Sequence, residues 1–304
     1  MANSLNEHYL ARINLVMDYI ESNYSKEFTL DELAFVANFS KYHFHRIFYS
    51  MTGETLFQFI QRIRIEKAAV LILNQPKRSL TEIAYECGFS SSALFSKTFK
   101  NTFQVPASLW KKRKKSNFEK EINPVSVYDQ DNVTGNEIID PVPMVTIREI
   151  KPMTLAYVRH TGPYKQDVKL FEELINRLCR WAAPRGLVKF PQTEIIVVYH
   201  DDPEITACNK LRISVGIIVP EETKAGNGVG KMTLPGGEYA FVRCKLKSDE
   251  FQKAWDWVYG VWFPKSGYEP DNRLAMEWYP DQSQNEETGR VFVDICVPVK
   301  SFTI

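Results

Sequence analysis

No apolar run in this sequence approaches the roughly 18 residues that a membrane-spanning helix needs. Residues 1–7 are polar and lack the apolar core of a signal peptide. A cytoplasmic protein without a membrane partner is therefore expected. Cysteine is sparse: Cys87, Cys179, Cys208, Cys244 and Cys296 are scattered, with no C-x-x-C pair. Most lie in apolar stretches, which suits reduced core thiols better than disulfides or metal ligands. His160 and His200 lack a nearby cysteine or H-x-x-E-H spacing, and His43 and His45, two apart on a helix, point in different directions. No metal, cofactor or catalytic group is expected from these patterns. The glycines of residues 226–230 fall between two strands, as in a hairpin loop, and not at the strand-to-helix turn of a phosphate cradle.

What is present is size, charge asymmetry and repetition. The 304 residues, 44% hydrophobic and 25% charged, suffice for two globular domains. The formal net charge of +1 conceals a basic front and an acidic back. Residues 1–120 hold 17 Lys and Arg against 11 Asp and Glu, and the remainder 21 against 26. One half is thus suited to face a polyanion.

Asn6–Asn23 carries apolar residues at near-helical spacing, and then one pattern occurs twice. Thr29 with Glu32 and Ser79 with Glu82 form S/T-x-x-E capping boxes, each opening a short apolar helix. The helices meet tight turns at Asn38-Phe39 and Gly88-Phe89, where Asn and Gly tolerate left-handed backbone. Second helices follow, capped by Ser40 and by Ser90-Ser91, with inner faces Phe44, Ile47, Phe48 and Phe95, Thr98, Phe99. Between the copies, Thr55–Leu73 reads as a longer helix holding them at fixed separation. Helix, short turn and helix with a polar outer face is the helix-turn-helix plan, here in tandem about 50 residues apart.

The stretches FTLDELAFVANFSKYHFHRIFYSMTGETLFQFIQRIRI and SLTEIAYECGFSSSALFSKTFKNTFQVPASLW resemble the AraC/XylS family of bacterial transcription regulators over about residues 6–112. The resemblance implies that each second helix enters a major groove of double-stranded DNA, two grooves one turn apart. In the first, Tyr42, His45 and Arg46 match positions facing base edges; in the second, Ser92, Ala93, Ser96 and Lys97 do. Arg46 can pair with guanine. The small side chains of the second helix leave more of the specificity to the first. Lys41, Thr98 and Lys100 are better placed for phosphates, which position without specifying. The alternative for all of these is a solvated helix face. Asn38 stands where the family usually has Gly. The basic run Lys111–Lys115 begins the junction, and the domain is bounded at 1–113, with a linker over 114–143.

Residues 144–304 change character, with aromatic and β-branched runs alternating with amphipathic helices. Ala156–Arg159 echoes Ala240–Arg243; helices near Lys165–Ala182 and Ser248–Trp262 close alike; then strands Ile195–Tyr199 and Leu211–Val219 answer Leu274–Tyr279 and Val291–Val299. The prediction is a multidomain chain: an all-α tandem helix-turn-helix domain, then an α+β domain of two βαββ repeats about a pseudo-two-fold. TLAYVRHTGPY, MTLPGGEYAFVRC, LAMEWYPD and VFVDICVPV resemble the GyrI-like small-molecule-binding domain, and the whole resembles the Rob-like arrangement. That family keeps a carboxylate in an aromatic groove for cationic or drug-like ligands, and the matching acid is Glu277. Strand alternation puts Glu277 and Tyr279 on one face; Tyr157, Tyr199, Trp255 and Trp262 are further pocket candidates, with plain core packing the alternative for each. The reading is a ligand-responsive transcription regulator, an activator by family habit, with a small-molecule effector and RNA polymerase as a further partner. Two alternatives stay open: a xenobiotic hydrolase using Glu277 as general base, and a back half that grasps a partner protein.

Overall fold

The computed structural model describes residues 2–112, 143–280 and 289–301, the side chains of 2–8 and of Tyr42 excepted. The expected linker over 114–143 lies outside these residues, apart from its last, as do Arg113 to Lys115 of the basic run. The chain divides into two compact units, one helical and one built on a sheet.

The helical unit comprises α1 (Ala2–Ser22), α2 (Leu30–Val36), α3 (Lys41–Thr52), α4 (Leu56–Asn74), α5 (Leu80–Glu86), α6 (Ser92–Phe103) and α7 (Ala107–Trp110). Both capping boxes form: the Thr29 and Ser79 hydroxyls accept from the Glu32 and Glu82 amides, and each glutamate accepts from the cap's own N–H. Thr55 and Gln58 make a third at the start of α4. Asn38 and Gly88 take the left-handed turn between the paired helices, at φ 51° and 79°. Two cores result. Ile13, Val16 and Ile20 of α1 pack with Leu33, Phe44, Phe48, Phe59 and Ile63. Ile65, Ala69 and Ile72 pack with Ile83, Phe95, Phe99 and Trp110. Helix α4 therefore serves both cores, the first half of its length in one and the second half in the other, as a shared spine. An aromatic chain, Phe89–Phe95–Phe99–Trp110, runs edge-to-face through the second core with centroids 5.3–5.6 Å apart; such pairs add about 0.5–1.5 kcal/mol each beyond area burial.

The second unit holds β1 (Met144–Ile150), β2 (Met153–Thr161), α8 (Val168–Ala182), β3 (Ile195–Tyr199), β4 (Arg212–Ile218), β5 (Gly230–Leu234) and β6 (Gly237–Leu246). Then come α9 (Phe251–Trp257), continuing through a π turn at Val258–Trp262 into α10 (Phe263–Ser266), and β7 (Tyr268–Pro270), β8 (Ala275–Tyr279) and β9 (Val291–Ser301). The strand order is β1-β6-β9-β8-β3-β4-β2-β5, with β7 on β9. The two βαββ repeats are β2-α8-β3-β4 and β6-α9/α10-β8-β9, and the order reads as a palindrome about the β3–β8 pair. The sequence reading lacked β1, β5 and β7. Each repeat is preceded by a strand that crosses to the other: β1 pairs with β6 and β5 with β2. Helix α8 covers Ala156, Val158, Val197 and Val215; α9 and α10 cover Val242, Val293 and Ile295. The opposite face is buried too, through Leu155, Ile196, Val198, Met276 and Cys296.

Candidate nucleic-acid interface and candidate ligand site

In the helical unit, burial of Phe44 and Phe48, and of Phe95 and Phe99, turns the remaining faces of α3 and α6 outward. His45 and Arg46 on α3 and Ser92, Ala93, Ser96, Lys97 and Lys100 on α6 are exposed. Tyr42 belongs to α3, but its side chain lies outside the described ones. Lys41 is exposed and within 3.4 Å of Asp31; an exposed pair of this kind contributes little, typically about 0–1 kcal/mol. Thr98 is a correction. It is half-buried, and its hydroxyl donates to Gln61 Oε1 of α4 at 3.4 Å. It lies one turn from Phe95 on the inner stripe, so it faces the spine and not the outer surface. In the basic run, Lys111 Nζ donates to the Arg78 carbonyl at 2.7 Å, so this residue serves packing as well as charge.

In the sheet unit, register explains the site. Val197 and Glu277 are partners across the β3–β8 ladder, and they also occupy the same position in the two repeats, IIVVY against AMEWY. The pseudo-two-fold thus passes between them, with Tyr199 and Tyr279 as its mates. Counting back from Trp181 and Trp262, Leu174 corresponds to Trp255 and Leu178 to Tyr259. The first repeat contributes Val, Leu and Leu; the second contributes Glu, Trp and Tyr. The symmetry is broken on its own axis, by polarity.

Glu277 is buried, at 2% exposure. Trp255 Nε1 donates to one of its carboxylate oxygens at 2.8 Å and the Tyr279 hydroxyl to the other at 2.8 Å; the Tyr199 hydroxyl also bonds to it. Burial pushes the carboxyl above its ordinary value, and the three hydrogen bonds pull the other way. Among the described residues no Lys, Arg or His side chain pairs with it. Burial also raises the Tyr199 and Tyr279 hydroxyls well above their usual value, with the Glu277 charge adding to the effect. Rings continue outward. Tyr164 lies 5.7 Å from Tyr199, Tyr199 5.6 Å from Trp255, and Tyr259 is stacked 6.1 Å from Trp255.

Of the six expected pocket residues, the structure thus gathers Glu277, Tyr279, Tyr199 and Trp255. Tyr157 is a correction: it pairs with Gly216 and Gly230 and shares its face with Leu155, away from Val158 and hence from Glu277. There the Arg159 guanidinium lies 4.8 Å above its ring, and Gly230 approaches so closely that a Cβ would overlap it. Trp262 stands further along the same run of rings: it abuts Phe263, which stacks on Tyr259, and its own ring stacks on Tyr268 at 6.4 Å. Tyr164 and Tyr259 were missed. Tyr164 ends a quoted stretch of the sequence, and Tyr259 stands one turn beyond Trp255, so helical spacing could have found the latter.

Comparison with known proteins gives two family matches. Residues 143–300 match the GyrI-like small molecule binding domain, and residues 33–113 match a helix-turn-helix domain. The chain is 33% identical to a protein named DNA gyrase inhibitor 2 from Dickeya dadantii, over 42% of this chain and 79% of that one. It is 36% identical to the Transposon Tn10 TetD protein from Escherichia coli, over 33% of this chain and 71% of that one. It is 33% identical to the Msm operon regulatory protein of Streptococcus mutans, over 35% of this chain and 38% of that one.

Proposed function

Because the chain belongs to the family of the GyrI-like small-molecule-binding domain, with an AraC-type helix-turn-helix unit in front of it, we propose that it is a transcription regulator answering to a cationic aromatic effector. The observation that carries the ligand class is Glu277: a buried carboxylate ringed by aromatics, with hydrogen-bond donors but no countercharge among the described residues. A cation beside it gains both the carboxylate and the ring faces. Base contacts fall to His45, Arg46 and Lys97, with Tyr42, Ser92, Ala93 and Ser96 beside them; Lys41 and Lys100 hold phosphates. Occupancy of the sheet unit then favours one state of the protein for DNA or RNA polymerase, which requires differential affinity for two states. Activation is the direction we assign.

Two assays test the reading. Selection from random duplexes should recover two short boxes about one turn apart, with one box lost in Arg46→Ala. No enriched motif, and binding that vanishes with added salt, would leave only generic attraction. A fluorescence titration should show 1-methylquinolinium binding well ahead of its neutral isostere 1-methylnaphthalene; equal affinities would sink the cation assignment. A second reading, a back unit that grips a partner protein, is favoured by the gyrase-inhibitor relative. It needs an exposed contact surface and gains nothing from a buried acid. A hydrolase reading would give Glu277 the role of general base, so Glu277→Gln would abolish turnover while leaving binding intact.

A further inference from the structure

The two helix-turn-helix motifs meet at one joint. Arg64, on the shared helix α4, sends its fork back to the loop after α1: Nε donates to the Tyr24 carbonyl at 2.7 Å and Nη2 to the Lys26 carbonyl at 2.6 Å. Between those two carbonyls, Ser25 lies against the turn of the second motif. A Cβ on Gly88 would come within 2.8 Å of the Ser25 carbonyl oxygen and 3.0 Å of Arg64 Nε. Tyr24 packs against both cores. The loop that leads from α1 into the first motif, the spine and the turn of the second motif are therefore held at one point, with no room for a methyl group.

We infer that Arg64 is a positioning residue that sets the spacing between the two DNA boxes read by one chain. The guanidinium is suited to this because its rigid planar fork holds two carbonyls in one fixed geometry, whereas a lysine ammonium is a compact point charge with freely rotating donors on a flexible stem. Two recognition helices on a rigid joint can each meet a groove only at one separation. One base pair more or less turns the second box by about 35° and moves it by about 3.4 Å. A loosened joint would follow that change; a rigid one would not.

The inference rests on the DNA-binding reading, and its test separates the two. Duplexes carrying the two selected boxes are built at the native spacing and at one base pair more or less, together with a single-box duplex. The wild type should prefer the native spacing by about tenfold or more. Arg64→Ala should narrow that preference to about threefold or less while single-box affinity stays within about twofold. A wild-type spacing profile in Arg64→Ala overturns the inference. If Arg64→Ala melts early or loses both boxes, Arg64→Lys decides: it keeps stem and charge but not the fork, so a flattened profile supports the inference and an unchanged one overturns it. Failure of selection to enrich any motif would count against DNA recognition itself; an enriched motif without fixed spacing would count against Arg64 alone.

Discussion

Glu277→Gln separates charge from shape at the proposed ligand site, and it should move stability and cation binding in opposite directions. The amide has the size of the carboxylate. Its oxygen can still accept from Trp255 Nε1, and the Tyr279 hydroxyl can reverse to accept from the amide N–H. In the wild type, burial is the largest influence on the carboxyl and raises it above 4.5, outweighing the three hydrogen bonds. The sign follows. A carboxyl raised on folding binds more protons in the folded state, so stability is full below the unfolded value and falls as pH rises through the folded one. The glutamine protein has no such dependence. It should therefore be more stable than wild type at pH 7.5, seen as a higher melting temperature, and the advantage should vanish as pH falls below 4.5. Cation binding goes the other way. A cation about 4 Å from the carboxylate gains about 4 kcal/mol at an effective dielectric of 20. Ligand desolvation offsets part of this, so a loss of about 2 kcal/mol, or about 30-fold, is expected. Affinity for 1-methylnaphthalene should not change. Thermal melts across pH and paired dye titrations read both quantities. A glutamine variant that melts lower at pH 7.5 and binds both probes as before would refute the reasoning, since it would make Glu277 a structural acid.

Arg46→Ala should cost about 1–3 kcal/mol of DNA binding and relax preference in one box only, whereas Lys100→Ala should weaken all sequences alike and lower the salt slope by about 1, both read by titration at several salt concentrations. Tyr157→Phe should leave 1-methylquinolinium affinity within about twofold, because its ring lies on the sheet face away from Glu277; a larger loss would place Tyr157 at the site after all. Ser79→Ala removes the cap that receives the Glu82 amide and should lower stability by about 1 kcal/mol in denaturant melts. Phe99→Ala empties the centre of the second helical core, between Phe95 and Trp110, and should cost about 3–5 kcal/mol. Retention of full stability there would mean that Phe99 does not hold the second core, whereas an early separate transition would mean that the two cores do not melt together.

The helical unit was nearly all legible because its signals are local. A capping box, a left-handed Asn38 or Gly88 and an apolar stripe each act within a few residues, and two copies in register reinforce one another. Thr98 shows the limit: it was placed on the inner stripe and also assigned to phosphate, and only the packing of α6 on α4 decides between them. The sheet unit was legible as a duplication but not as a set of faces. Tyr157, Val158 and Leu155 are all buried, so β2 carries no alternation of apolar and polar residues to say which face meets the helix. The strands β1 and β5 were missed because each pairs with the other repeat, a relation between distant segments. Tyr164 joins the site by the same long-range route.

The chain thus contains two duplications that arrive at opposite relations between copy and function. In the front unit the copies are related along the spine α4, each keeps its own core, and each outer face diverges freely: His45 and Arg46 on one, Ser96 and Lys97 on the other. A change in one outer face should be felt at one box. In the back unit the copies are related by an axis through the Val197–Glu277 pair, and a residue on an axis has no second place to go. Two acids there would face each other across adjacent strands as like charges in a buried setting, which is strongly unfavourable. One acid and one valine avoid that conflict, and the Trp255 and Tyr259 side of the axis then differs from the Leu174 and Leu178 side. A single acidic centre is therefore what a dyad-centred duplication permits, and on the proposed ligand reading substitutions in either repeat, Tyr199 as much as Tyr279, should change affinity for the same probe.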